Sequence, residues 1–158
     1  MSYTLKFKDG SEKDFSSFKG ADLNGACLER IDLSGADLSG AKLRHACLRR
    51  ANLRNADLSD ADLTDADLVG ADLRRASLPG ANLREAALEC ADLTGADLRG
   101  ADLRDAELSS AHLDGALLFG AKLEGTKLGC ADLSKALFNE VDLNGALPKE
   151  AQLPKHQN

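Results

Sequence analysis

The chain has 158 residues, with 20 Lys and Arg against 26 Asp and Glu for a formal charge of −6, which is one domain's length without the basic excess of a nucleic-acid binder. It is 43% apolar but only 4% aromatic, with no Trp and a single Tyr, so a core filled by large rings is excluded and the apolar share is mostly Ala and Leu. No apolar run is long enough to cross a bilayer and no secretory signal pattern is present. We therefore expect a cytoplasmic protein with no membrane partner, whose four cysteines are thiols.

Residues 1–15 read as an N-terminal cap. Tyr3, Leu5 and Phe7 alternate as a strand does, Lys8-Asp9-Gly10 is a turn signal, and Phe15 follows. We expect this segment to fold over the first part of the repeat that begins next, its aromatics covering otherwise exposed leucines.

From Ser16 to Gly145 the chain repeats every five residues, through 26 pentads without an insertion or a slip. The third position is Leu in 24 of the 26, and the first is Ala in 22. The second is Asp or Asn in 14 and the fifth is Gly in 12. A helix would spread these leucines around its whole circumference, and a flat strand would put successive ones on opposite faces. Within one pentad, however, Ala and Leu are two residues apart and share a face. A short extended segment followed by a corner therefore buries both, and the next pentad repeats the arrangement. Gly at the fifth position suits the corner, and Asp or Asn at the second can bond to nearby backbone.

The runs Ala-Asp-Leu-Ser-Asp-Ala-Asp-Leu-Thr-Asp at 56–65 and Ala-Asp-Leu-Arg-Gly-Ala-Asp-Leu-Arg-Asp at 96–105 resemble the pentapeptide repeat family. The resemblance implies an all-β fold, the right-handed quadrilateral parallel β-helix, with four pentads in each coil. It also implies a bacterial, non-catalytic repeat protein. Unusual residues recurring twenty apart, such as Cys27 and Cys47 or Leu117 and Leu137, agree with that coil. Twenty-six pentads would make about 6.5 coils, stacked at roughly 4.8 Å. Residues 146–158 keep the phase as two degenerate pentads and a tail, which would bring the count to seven, and Pro148 and Pro154 discourage a further strand.

Read as columns on such a coil, the outward positions separate by charge. Arg30, Arg49, Arg50, Arg54, Arg74 and Arg75 fall on two adjoining faces, the candidate basic faces. Asp22, Asp37, Asp57, Asp60, Asp62 and Asp65 fall on the other two, the candidate acidic faces. Cys27, Cys47 and Asp67 share one column with His45 nearby, but a flat solvated face favours reduced thiols over a metal site. A Cys27–Cys47 disulfide is disfavoured too, because ladder neighbours lie about 4.8 Å apart whereas bonded cysteines average about 3.8 Å between Cβ atoms.

One feature breaks the polar exterior. Leu117 and Leu137 occupy second positions on successive coils of one face, and Phe119 a fourth position beside them. Three large apolar groups together are a candidate interaction patch, unless Leu147 or Leu153 of the tail covers them. Nothing in the sequence resembles a nucleophile motif, a phosphate loop or a desolvated carboxylate pair, so no enzyme activity and no cofactor or metal is expected. The expected partner is a protein not identifiable from sequence. The resemblance adds a homodimer through the C-terminal coils and, as an alternative task, modulation or protection of a type II topoisomerase (DNA gyrase) by imitation of duplex DNA. Direct nucleic-acid binding is disfavoured by the acidity and the scarcity of surface aromatics.

Overall fold

The computed structural model describes residues 3–6, 9–139 and 145–146. Strands β1 (Tyr3–Lys6) and β2 (Glu12–Phe15) form an antiparallel hairpin with Tyr3 opposite Phe15 and Lys6 opposite Glu12. Its turn carries Gly10 at φ 84°, and Asp9 accepts bonds from both the amide and the hydroxyl of Ser11. Leu5 is buried, and the Lys6 carbonyl accepts a 2.7 Å bond from the Cys27 amide. The hairpin thus occupies the place a preceding coil would take. The cover expected from Phe7 and from the rings of Tyr3 and Phe15 falls outside the described residues.

Beyond the hairpin, parallel bridges run from Asp22 with Lys42 to Leu117 with Leu137, every one joining residues twenty apart at second positions. Four pentads therefore close each turn, and each pentad forms one side of a four-sided parallel β-helix. Closure of the last turn, and the tail with Leu147 and Leu153, lie outside the described residues.

The five amides of a pentad show why the sequence takes this form, since each needs a partner. In the pentad starting at Ala36, its own amide bonds Leu33 O of the preceding pentad at 3.0 Å, closing the corner as a β-turn. Leu38 N and Gly40 N bond forward to Asp57 O and Ser59 O on the next coil, at 2.7 and 2.8 Å. The fourth amide, of Ser39, bonds the Asp37 side chain at 3.0 Å. Second-position amides bond backward to the previous coil, as Asp57 N does to Ala36 O at 2.9 Å. Asp and Asn recur at the second position because the remaining amide needs their oxygen.

The corner residue sits at positive φ, as the third residue of this turn requires. Glycine fills many corners, yet twelve of the corner residues at positive φ are not glycine, among them Arg30, Glu85 and Cys130 at φ 56–57°. The coil-to-coil bonds on either side hold such residues in a conformation that costs an L-residue about 1–2 kcal/mol.

Inside, every third-position Leu from Leu23 to Leu133 is at most 5% exposed, and Ala lines the same interior. Each such Leu contributes roughly 1.5–3 kcal/mol by leaving water. Polar exceptions are few. Thr126, at a first position, is 3% exposed.

Candidate interaction face

The side of the helix built from residues 36–40, 56–60, 76–80, 96–100, 116–120 and 136–139 carries the apolar patch. Leu117 and Leu137 are bridge partners, and their register is fixed by Leu137 N to Ala116 O at 2.8 Å and Leu118 N to Leu137 O at 2.7 Å. Phe119 is 39% exposed and Leu137 38%, the exposed large apolar side chains among the described residues. Leu117 is half-buried. The patch is therefore smaller than the sequence suggests at Leu117, whose coil-to-coil neighbours cover part of it. Leucine at the second position also offers no oxygen to the fourth amide, so Leu117 and Leu137 forgo the local bond that Asp or Asn supplies elsewhere.

One coil below, Asp97 and Arg99 bound the patch. The guanidinium bonds both carboxylate oxygens, Nε at 2.8 Å and Nη2 at 2.6 Å. Further down the same face stand Asp57, bonded to the amide and hydroxyl of Ser59, and Asp60 at a corner with φ 56°. Neither makes an ion pair among the described residues.

The Asp97–Arg99 geometry recurs. Arg74 holds Asp72 and Arg104 holds Asp102 in the same two-pronged way. The hydrogen bond from arginine is the main cause holding the carboxyls of Asp72, Asp97 and Asp102 below their ordinary range, partly opposed by burial. The tripeptide Asp-Leu-Arg, readable in the sequence at 72–74, 97–99 and 102–104, is the signal for it. The leucine points inward and leaves its two neighbours side by side outside.

These pairs change the picture of the charged faces. Of the six arginines, Arg30 lies 3.8 Å from Glu29, Arg49 3.1 Å from Asp67, and Arg74 bonds Asp72 and lies 3.5 Å from Asp92. Arg50, Arg54 and Arg75 make no ion pair among the described residues. Of the six aspartates, Asp22, Asp37, Asp57 and Asp62 each hold a fourth-position amide, which is a task within the coil. Asp37 and Asp62 also face Lys19 at 3.8 Å and Arg44 at 3.6 Å. Asp65 lies 3.7 Å from His45. Apart from Arg30 and its neighbour Glu29, the partners sit eighteen to twenty residues away or two residues along, so each face carries both signs.

All four cysteines are free, with Cys47 half-buried and Cys27, Cys90 and Cys130 exposed. Among the described residues no three His, Cys, Asp or Glu side chains converge on a common metal position, and no helix is long and apolar enough to cross a membrane.

The signature of pentapeptide repeats matches in eight copies, over residues 16–55, 56–95, 86–125 and 116–146. The chain belongs to the pentapeptide repeat family. The four-sided helix is thus that family's right-handed quadrilateral β-helix, and no catalytic family accompanies the match. Among solved structures, a pentapeptide repeat protein from the cyanobacterium Cyanothece 51142 is 39% identical with a TM-score of 0.57. That alignment covers 58% of this chain and 63% of the other, so the present chain spans less than two thirds of it. A second, from Nostoc Pcc 7120, is 42% identical with a TM-score of 0.56, over 66% of this chain and 85% of its own. The plasmid-mediated fluoroquinolone resistance protein QnrB1 is 25% identical with a TM-score of 0.47, over 81% and 80% of the two chains, a likeness too loose to bear on function. No curated protein matches the chain.

Proposed function

We propose that this pentapeptide repeat protein is a non-catalytic scaffold that holds a protein partner against the face bearing Leu117, Phe119 and Leu137. The observation that carries the reading is the outward exposure of Phe119 and Leu137 on a helix whose other large apolar side chains, among the described residues, are buried or half-buried. The anchor is apolar, and Asp57 and Asp60 extend the same face toward the N-terminus without an ion-pair partner among the described residues. The partner therefore presents an apolar knob beside a basic stretch, and a rigid flat ladder receives it without rearrangement.

The test is a pull-down from the native host with the wild-type chain, Phe119→Ser, Leu137→Asp and a control on another face, Lys122→Asp. A protein retained by wild type and control but lost with both patch variants, and weakened by salt when rebound in purified form, supports the proposal. An identical set of captured proteins across all four overturns it. Light scattering on the same proteins separates a second copy of this chain from a foreign partner, since Leu137→Asp would then convert a dimer to a monomer. A supercoiling assay with DNA gyrase, with and without a quinolone, tests topoisomerase modulation, for which the mixed charge of the faces gives little support; protection lost in the patch variants would name the topoisomerase as the partner.

A further inference from the structure

Cys27 and Cys47 are bridge partners on adjacent coils. Their register is locked from both sides, by Cys47 N to Ala26 O at 2.9 Å and by Leu28 N to Cys47 O at 2.7 Å. Both thiols are free and reach solvent, Cys27 more than Cys47. Second-position side chains point outward on one face, so the two sulfurs are carried by Cβ atoms about one ladder spacing apart, roughly 4.8 Å. A disulfide wants about 3.8 Å between Cβ atoms, and the two bracketing hydrogen bonds resist drawing the coils together. The pair therefore persists as a dithiol.

The spacing suits a different chemistry. A metal–thiolate bond is about 2.3 Å, so two such bonds pointing in opposite directions span about 4.6 Å, close to the ladder repeat. A tetrahedral ion would need the sulfurs nearer and two further ligands. The neighbouring candidates are engaged: Asp67 lies 3.1 Å from Arg49, and His45 lies 3.7 Å from Asp65. The same chain supplies a contrast in Cys90 and Cys130, which share a corner column forty residues, hence two coils, apart with Ser110 between them. One ion cannot reach both.

We propose that Cys27 and Cys47 form a two-coordinate site for a soft monovalent cation, cuprous ion being the biological representative. Binding forms two copper–sulfur bonds and releases the two thiol protons to solvent, with no change of oxidation state. The site uses none of the residues of the apolar patch and stands independently of the partner-binding reading.

The experiment is anaerobic titration of the full chain with cuprous ion against a chromophoric cuprous chelator, with native mass spectrometry as a second readout. The expected result is one tightly held copper per chain, lost in Cys27→Ser and in Cys47→Ser and kept in the double variant Cys90→Ser/Cys130→Ser. Zinc is expected not to bind. Circular dichroism checks each variant's fold, and Cys27→Ala serves should the serine variant misfold. Copper retained by either single variant of the pair, or lost with Cys90 and Cys130, overturns the proposal. So does zinc binding of equal strength, because it would require a four-ligand site.

Discussion

Thr126 Oγ1 donates a 2.7 Å hydrogen bond to the carbonyl of Leu103 inside the column of Leu and Ala. That carbonyl already accepts the Ala106 amide at 3.0 Å, so the hydroxyl is satisfied without any group depending on it. Thr126→Ala, which restores the usual residue, is expected to change stability by less than about 1 kcal/mol. Thr126→Val sets a methyl against the carbonyl oxygen and should cost about 1–2 kcal/mol. Urea unfolding with an unchanged m-value checks both, and a larger loss for the alanine variant would contradict the account.

A mid-stack leucine tests the interior itself. Leu73 is fully buried, and Leu73→Ala should cost about 2–5 kcal/mol through lost burial and an unfilled cavity. Phe119→Ser removes an exposed ring and should leave the urea midpoint close to wild type.

The corners can be separated into strain and crowding. A Cβ on Gly80 would lie 2.5 Å from Asp60 Oδ1, whereas one on Gly100 meets nothing within 4 Å. Both sit at positive φ, 68° and 66°, so either alanine should cost about 1–2 kcal/mol for the backbone alone. The crowded atom at Gly80 is the free end of an exposed carboxylate, so Gly80→Ala is expected to cost about as much as Gly100→Ala. A larger loss for Gly80→Ala that Asp60→Ala relieves would show that the Asp60 side chain is held in place.

Acid should find the Asp-Leu-Arg units. Arginine holds the folded-state carboxyls of Asp72, Asp97 and Asp102 below their ordinary range. Groups depressed on folding bind more protons when unfolded, so their stabilisation is present above the unfolded carboxylate range near pH 4 and fades as the pH falls through the lower folded values. Thermal unfolding between pH 7 and pH 2 should show a loss confined to the acid end. Asp102→Asn should flatten that loss while lowering stability at neutral pH; an unaltered acid limb would remove the assigned cause.

The fold was legible because one constraint repeats. Leu at the third position, Ala at the first and a corner-tolerant fifth residue call for a coil with Leu and Ala inside; four pentads per coil comes from the family resemblance, and the recurrence of Cys27 and Cys47 agrees with the twenty-residue step that their bridge displays. The role of Asp and Asn was legible in kind, while the identity of the bonded amide emerged only with the turn geometry. The pairing of arginines was harder to see. Asp97 and Arg99 are alternate residues of one pentad, and their contact follows only once Leu98 is known to point inward. Arg49 meets Asp67 eighteen residues on, a spacing that means nothing until coils are stacked. The exposure of Phe119 follows from its fourth position in the pentad, whereas the half-burial of Leu117 depends on neighbouring coils that composition does not describe.

The bridge spacing of twenty residues also sets a rule for how such a chain can lengthen or shorten. Removing one whole turn from the middle leaves every surviving column in line, so each face merely becomes shorter. Removing a single pentad preserves the local pattern equally well but rotates everything beyond it by a quarter turn, carrying Phe119 and Leu137 away from Asp57 and Asp60. Two gene rearrangements, each faithful to the five-residue repeat, would thus leave one protein with the proposed contact face intact and another with the two halves of that face on different sides.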